Sequence, residues 1–190
     1  ITREEIVQSG ARDLLEILQL VPSFQFAADV QGIVGIGVRG QWGNEGKVLL
    51  LLDGQRQNEL LYSTMQFGNH YSADLIERIE IIRGPGSAIY GGFAELAVIN
   101  IVTRTPKGPN GVAMAFRFGH MERSPSTINL SLAYAQDFKA VRGLSADVKA
   151  FLGQAKRSDQ DYVDFQGNSY SLADQSGLRD IMVNAGLTFR

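Results

Sequence analysis

A chain of 190 residues in which 44% are hydrophobic and 20% charged is long enough to bury a core and suggests one or two domains. The net charge of -2 supplies no broad basic field for nucleic acid, and zero cysteines exclude a disulfide framework and thiolate metal sites. No run approaches the roughly 20 continuous apolar residues of a membrane helix, which leaves an ordinary globular domain or a membrane β-protein.

Thr2 and Glu5 have the spacing of a capping box, and Ile6 and Val7 begin an apolar pattern that Gly10 interrupts, so a short helix is expected there. Leu14, Leu15, Leu18 and Val21 recur at helical spacing until Pro22 ends the run. Phe24 and Phe26 follow. Val34, Ile36 and Val38 alternate with Gly35, Gly37 and Arg39, and Gly40 to Gly46 reads as a loop. Val48 to Leu52 is apolar at every position, as expected of a central strand covered on both faces, and Asp53-Gly54 ends it with turn chemistry. Gln55 to Ser72 is a long polar and aromatic excursion of the kind that carries function or short local structure. Ala73 to Ile76 fits one helical turn.

Ile79, Ile81 and Ile82 with Glu77, Glu80 and Arg83 make a strand with one buried face. Gly84-Pro85-Gly86 then imposes a sharp turn, Ser87 can cap a short turn from Ala88, and Val98 to Thr103 is a second β-branched run. The first domain is expected over 1–107 as an α+β unit: a mixed sheet of about four strands with short helices.

After Pro106-Lys107-Gly108-Pro109 the pattern changes to antiparallel transmembrane-type β-strands over 108–190, at about 112–119, 127–136, 144–154 and 179–190, with a long loop at 155–178. Val112, Met114, Phe116 and Phe118 share one face, and Ile128, Leu130, Leu132 and Tyr134 repeat it. The third segment sets Leu144, Ala146, Val148, Ala150 and Leu152 against Ser145, Asp147, Lys149, Phe151 and Gly153, the fourth sets Ile181, Val183, Ala185, Leu187 and Phe189 against Met182, Asn184, Gly186, Thr188 and Arg190, and both blur slightly. Four strands cannot close a barrel. In water the Met114, Phe116, Leu130, Leu132 and Val183 face is therefore expected to be buried against another copy or against the first domain.

Several chemical readings fail on the residues themselves. Gly35-x-Gly37-x-x-Gly40 matches a dinucleotide fingerprint only formally, since Gln41-Trp42-Gly43-Asn44 does not open a helix. Gly84-Pro85-Gly86-Ser87 has no Walker lysine, and Pro85 removes an amide that a phosphate nest needs. Ser87 lacks a nucleophile elbow. The two histidines, His70 and His120, have no second histidine at ligand spacing, so neither a metal site nor a cofactor is expected. Asp159, Asp161 and Asp164 fall in the long loop and read as a solvated face without an EF-hand pattern.

The run Ile76-Glu77-Arg78-Ile79-Glu80, then Arg83-Gly84-Pro85-x-Ser87-x-x-Tyr90-Gly91, then Val98-Ile99-Asn100-Ile101 resembles the hallmark of the plug domain of TonB-dependent outer-membrane receptors. Ser9 to Pro22, the Val38-Arg39-Gly40 step and Val48 to Gly54 extend the resemblance over about the first hundred residues. The family often has paired glycines before the second strand, where this chain has Leu96 and Ala97.

The resemblance implies a bacterial cell outer-membrane protein of a Gram-negative envelope, a transporter and not an enzyme. It would take up a scarce nutrient such as a ferric siderophore, haem, cobalamin or glycan, with TonB as energy-coupling partner, a small nutrient such as a metal chelate as ligand and outer-membrane lipid around the barrel. Nothing in Ile1 to Ile6 resembles the TonB-contact segment, which is expected to be absent from this stretch. Asp53, Gly54, Gly84, Pro85, Gly86, Ser87, Tyr90, Gly91 and Asn100 would carry the structural motif. Glu80, Arg83 and Arg104 would seat the plug against the barrel wall, with ordinary exposed strand charges as the competing reading. Trp42, Asn44, Tyr62, Phe67, His70 and Tyr71 lie in loops that would face the ligand, with loop packing as the alternative. A ligand-binding signalling or adhesion module without transport is the second functional reading. A soluble α/β enzyme is the third, and the alternating strands past Val112 speak against it.

Overall fold

In the computed structural model Thr2 caps helix α1 (Arg3–Ser9) as its spacing to Glu5 predicts. The Glu5 N–H donates to Thr2 Oγ1 at 3.3 Å, and the Thr2 N–H donates to Glu5 Oε2 at 2.7 Å. Gly10 closes the helix in the left-handed region at φ 69°. Asp13 caps α2 (Leu14–Gln19), which buries Leu14, Ile17 and Leu18. The helix stops before Val21 because a following proline disfavours helical geometry there. The structure describes residues 1–28, 33–43, 45–106, 110–138, 141 and 143–189, so Asn44 and the boundary residues Lys107, Gly108 and Pro109 lie outside the described residues.

Strands β1 (Phe24–Ala28), β2 (Val34–Val38) and β3 (Gln41–Trp42) form a small antiparallel sheet. Gly40 to Gly46 was expected as loop throughout; instead Gln41 and Trp42 pair with Val38 and Gly37. The cause is the two-residue step Arg39-Gly40, both at positive φ (53° and 80°), whose twist folds the chain straight back into a hairpin.

The central sheet contains β4 (Val48–Leu52), β5 (Gln55–Arg56), β6 (Ile76–Arg83) and β7 (Ala97–Thr103) in the order β5-β4-β7-β6. It is mixed: β4 runs parallel to β7, while β4–β5 and β6–β7 are antiparallel. All five residues of β4 are buried. Leu50, Ile79, Ile99 and Ile101 are among the most deeply buried side chains, each stabilising the fold by roughly 1.5–3 kcal/mol relative to exposure. Leu49, Leu51, Ala94 and Val98 form one core cluster.

The remaining long strands are β8 (Asn110–His120), β9 (Pro125–Asp137) and β10 (Leu144–Lys156), followed by a two-stranded ribbon of β11 (Asp161–Val163) and β12 (Ser169–Ser171), a turn of helix (Leu172–Gln175) and β13 (Gly177–Phe189). The long four form an antiparallel sheet in the order β13-β10-β9-β8. Its faces differ. Val112, Met114, Phe116, Leu132, Val183 and Leu187 stay exposed, Met114 at 70% and Val183 at 69%. The opposite face carries Arg117, Asn129, Ser131, Lys149 and Asp180.

The chain divides into two compact units, Ile1–Gly68 with Ile76–Arg104, and Asn69–Leu75 with Thr105–Arg190. Asn69–Leu75 is thus an excursion from the first unit's sequence into the second unit's fold. It docks on the polar face of the four-stranded sheet, so the cover expected for the Met114, Phe116 and Val183 face is not supplied by this segment.

Candidate functional site

The signature hairpin is built around three backbone constraints. Gly84 takes φ 132°, outside what side-chain-bearing residues readily adopt, and its N–H donates to the Leu96 carbonyl. Gly86 donates to the Ala94 carbonyl at 2.7 Å, and a Cβ there would stand 2.7 Å from Val98 Cγ2. The Ile89 and Tyr90 N–H groups donate back to the Gly86 carbonyl, starting helix α3 (Ser87–Tyr90), and Gly91 at φ 82° ends it. Pro85 lies within this turn, and Tyr90 is exposed. Leu96 donates to the Lys47 carbonyl and Ala97 is fully buried, so these residues complete the hairpin where the family often has glycines.

Asp53, Gly54, Asn100 and Glu80 form a linked polar set across this sheet. Asp53 and Gly54 both take positive φ (50° and 82°). The Asp53 carboxylate accepts from the Thr103 N–H at 2.8 Å and from its hydroxyl at 2.5 Å. Asn100 accepts from the Gly54 N–H at 3.1 Å and donates to Glu80 at 3.1 Å. Glu80 also receives the Arg78 guanidinium at 2.7 Å, and these two donors, Arg78 first, hold its carboxyl below the usual range. Arg83 and Arg104 are exposed, and the Arg83 carbonyl accepts from Arg39.

The aromatic positions singled out in the loops do not form one cluster. Trp42 lies over Gly35, where an added Cβ would come within 2.4 Å of its ring. Phe67 meets Phe26 edge-on at 5.7 Å, and His70 meets Tyr71 edge-on at 4.8 Å. Tyr62 belongs to an exposed apex, Leu60-Leu61-Tyr62, in which Leu60 is 93% exposed. Two groups hold that apex in shape. Glu59 accepts from the Leu61 and Tyr62 N–H groups at 2.6 and 2.7 Å, and these bonds, Tyr62's first, lower its pKa. Buried Asn58 accepts from the Leu50 N–H at 2.8 Å and donates to the Val48 and Ser63 carbonyls. Below the apex Arg56 donates to Ser63 and stacks 3.8 Å from the Phe93 ring centroid.

Sequence patterning missed the best-specified constellation, the seat of Asn69–Leu75 on the four-stranded sheet. Arg117, Asn129, Gly153 and Asp180 stand side by side across β8, β9, β10 and β13. Asp74 receives Arg117 through both carboxylate oxygens at 3.0 and 3.2 Å. Asn69 and Asn129, both buried, exchange amide bonds at 2.9 and 2.8 Å. His70 Nδ1 donates to Asp180 at 3.2 Å. Gly153 has no room for a side chain, since a Cβ would lie 2.4 Å from Asn69 Nδ2.

One row further along, the Ser72 and Ser131 hydroxyls share a bond of 2.7 Å, and Leu75 packs on Ala133 and Phe151 with Ala113 and Met182 alongside. The apolar residues that blur the strand alternation therefore form the floor under Leu75. Tyr71 is buried, which raises its phenol pKa, and its hydroxyl has no hydrogen-bond partner among the described residues.

Of the three aspartates of the long connection, Asp161 is solvent-exposed as the sequence suggests, whereas Asp159 and Asp164 organise the backbone around them. Asp159 is buried and accepts from the Arg123 and Ser124 N–H groups at 2.6 and 3.1 Å, which lowers its pKa, Arg123 contributing most. Asp161 pairs with Arg123 at 3.2 Å. Asp164 organises its own turn by accepting from the Asn168 side chain and the Gln166 and Asn168 N–H groups, each at 2.9 Å. His120 is exposed at the end of β8 with its ring on the Met121 carbonyl. Among the described residues no group of three acidic or histidine side chains could hold a metal ion.

Comparison with known proteins places this geometry in context. Residues 1–98 match the family model of the TonB-dependent receptor plug domain. The chain is 31% identical over 137 residues to the vitamin B12 transporter BtuB of Vibrio vulnificus (strain CMCP6), a match covering 71% of this chain and 22% of that protein. Its fold matches the siderophore receptor PirA from Pseudomonas aeruginosa with a TM-score of 0.66 at 21% identity, over 100% of this chain and 30% of that one. It also matches the ferric yersiniabactin uptake receptor FyuA from Yersinia pestis with a TM-score of 0.63 at 21% identity, over 98% of this chain and 28% of that one. At these identities the structural likeness shows the fold. The chain spans less than a third of each of these relatives.

Proposed function

The chain belongs to the TonB-dependent receptor plug domain family, and on that premise we propose that it is the plug and the first wall strands of an outer-membrane receptor for active uptake of a scarce nutrient. The observation that carries this reading is the sheet β13-β10-β9-β8, which directly follows the plug sequence and is apolar and exposed on one face and polar on the other. Such alternation suits strands with lipid outside and a lumen inside. The plug gates that lumen, and TonB supplies the force. Ligand recognition would be the work of Trp42, the Leu60-Leu61-Tyr62 apex, Phe67 and neighbouring Asn44, with His70 and Tyr71 beside them in sequence. Arg83, Arg104 and Glu80 would help seat the plug.

The names of the relatives favour a metal chelate, either a ferric siderophore or cobalamin, over haem or a glycan. The test is accumulation of radiolabelled ferric siderophores and cobalamin by cells carrying or lacking the gene, with and without a protonophore. Gene-dependent accumulation that the protonophore abolishes is expected. Saturable binding with no energy-dependent accumulation of any ligand in the panel would overturn the reading in favour of a receptor module without transport.

A further inference from the structure

We propose that Asn69–Leu75 is a fixed mooring of the plug, remaining on the polar face of the wall strands throughout the uptake cycle while the rest of the plug is displaced. The inference rests on the receptor reading and deepens it. Three observations carry it. First, the segment belongs by its packing to the same compact unit as β8 to β13, although the chain on both sides of it belongs to the other unit. Second, its contacts are specific side chain by side chain: Asp74 on Arg117 through two bonds, Asn69 on Asn129 through two, Ser72 on Ser131, His70 on Asp180, and Leu75 on Ala133 and Phe151.

The buried amide and hydroxyl pairs can leave one another only by losing matched hydrogen bonds together, because a half-broken set would strand buried polar groups. Gly153 adds shape to chemistry, since only a residue without Cβ leaves Asn69 its place. Third, the segment is bounded by points where the backbone can turn. Gly68 precedes it at φ 85°, and the β6–β7 register shifts between Ile76 and Arg78 just after it. A tightly seated stretch between a glycine and a bulge is the construction expected where one part stays and the adjoining parts move.

The experiment uses the full receptor in cells. The chain has no cysteine of its own, and hydroxyls 2.7 Å apart place the Ser72 and Ser131 side chains within reach of a disulfide. With Ser72→Cys and Ser131→Cys introduced together, the oxidised receptor is expected to accumulate nutrient within threefold of the reduced receptor. A larger fall that dithiothreitol reverses would overturn the mooring.

Hydrogen exchange of the unsubstituted receptor in rising urea provides a second measurement that needs neither transport nor mutation. Asn69–Leu75 amides should keep their protection after Val48–Leu52 has lost it and lose it together with β9 and β10. Loss of protection in step with Val48–Leu52 would overturn the proposal. Absence of energy-dependent uptake by the unsubstituted receptor would count against the transport reading, while the exchange result still decides the mooring.

Discussion

Asn58→Ala tests whether a single buried amide substitutes for a missing piece of strand. Beyond the short pairing of β4 with β5, the Asn58 side chain completes the edge of β4, accepting from Leu50 N–H at 2.8 Å and donating to Val48 O at 3.0 Å and Ser63 O at 2.9 Å. Alanine leaves one buried donor and two carbonyls without these partners. An orphaned buried donor costs about 1–3 kcal/mol and each lost bond to a carbonyl about 0.5–1.5 kcal/mol, so a net loss of about 2–4 kcal/mol is expected after relaxation. With a urea slope of about 2 kcal/mol per molar, the unfolding midpoint of the plug should fall by about 1–2 M.

Trp42, the chain's one tryptophan, lies in the same unit, so its fluorescence can follow the transition. Asn58→Asp keeps an acceptor for Leu50 but turns a carboxylate toward two carbonyl oxygens, and should be at least as destabilising as alanine. A midpoint shift below about 0.3 M for alanine, or wild-type behaviour for aspartate, would refute the reasoning, because either result would mean that the three bonds contribute nothing net.

Gly86→Val should destabilise the plug by about 1–3 kcal/mol, since the new Cβ starts 2.7 Å from Val98 Cγ2; an unchanged thermal midpoint would show that the turn yields freely. Phe151→Ala should cost about 3–5 kcal/mol because the ring is fully buried against Leu75 and Ala133. The same substitution should accelerate amide exchange at Leu75, and unaltered exchange there would count against the packing described. Asp159 is depressed in the folded state, so its contribution is fully present above the ordinary carboxylate pKa, about 3.9, and is lost as pH falls through the lower folded value. Protection of the Arg123 and Ser124 amides should therefore, after correction for intrinsic exchange, hold from neutral pH to about pH 4 and decline below it. A loss between pH 5 and 7 would contradict that assignment.

Much of the plug was legible in the sequence because local rules and tertiary demands agree there. Thr2 with Glu5, the wholly apolar Val48–Leu52, Asp53-Gly54 and the Gly84-Pro85-Gly86 step each have one dominant backbone solution, and the family signature ties them together. The alternation of the later strands was likewise plain, since a period of two repeats over many residues. Two kinds of feature were hidden. Short pairings such as Gln41–Trp42 carry too few residues to show a period and depend on Arg39 accepting a left-handed conformation. The seat of Asn69–Leu75 joins residues separated in sequence by as many as 110 positions. Asn69, Ser72 and Asp74 look like ordinary loop polarity until their partners are known. The one sequence-level trace was Phe151 and Met182 on a polar face, which reads as noise until Leu75 is found above them.

The parallel pairing of β4 with β7 also dictates an order of assembly. Val48–Leu52 cannot gain its main neighbour until Ala97–Thr103 has been made, and the chain between them contains Asn69–Leu75, whose partners Asn129, Phe151 and Asp180 are made later still. Closing such long loops is slow compared with forming a hairpin, because ordering entropy is spent well before the contacts that reward it exist. A nascent chain stopped between Thr103 and Asp180 would have its central strand paired but its seat still incomplete. Native polar matching at that seat therefore requires the wall strands, which makes their arrival the checkpoint for finishing the plug.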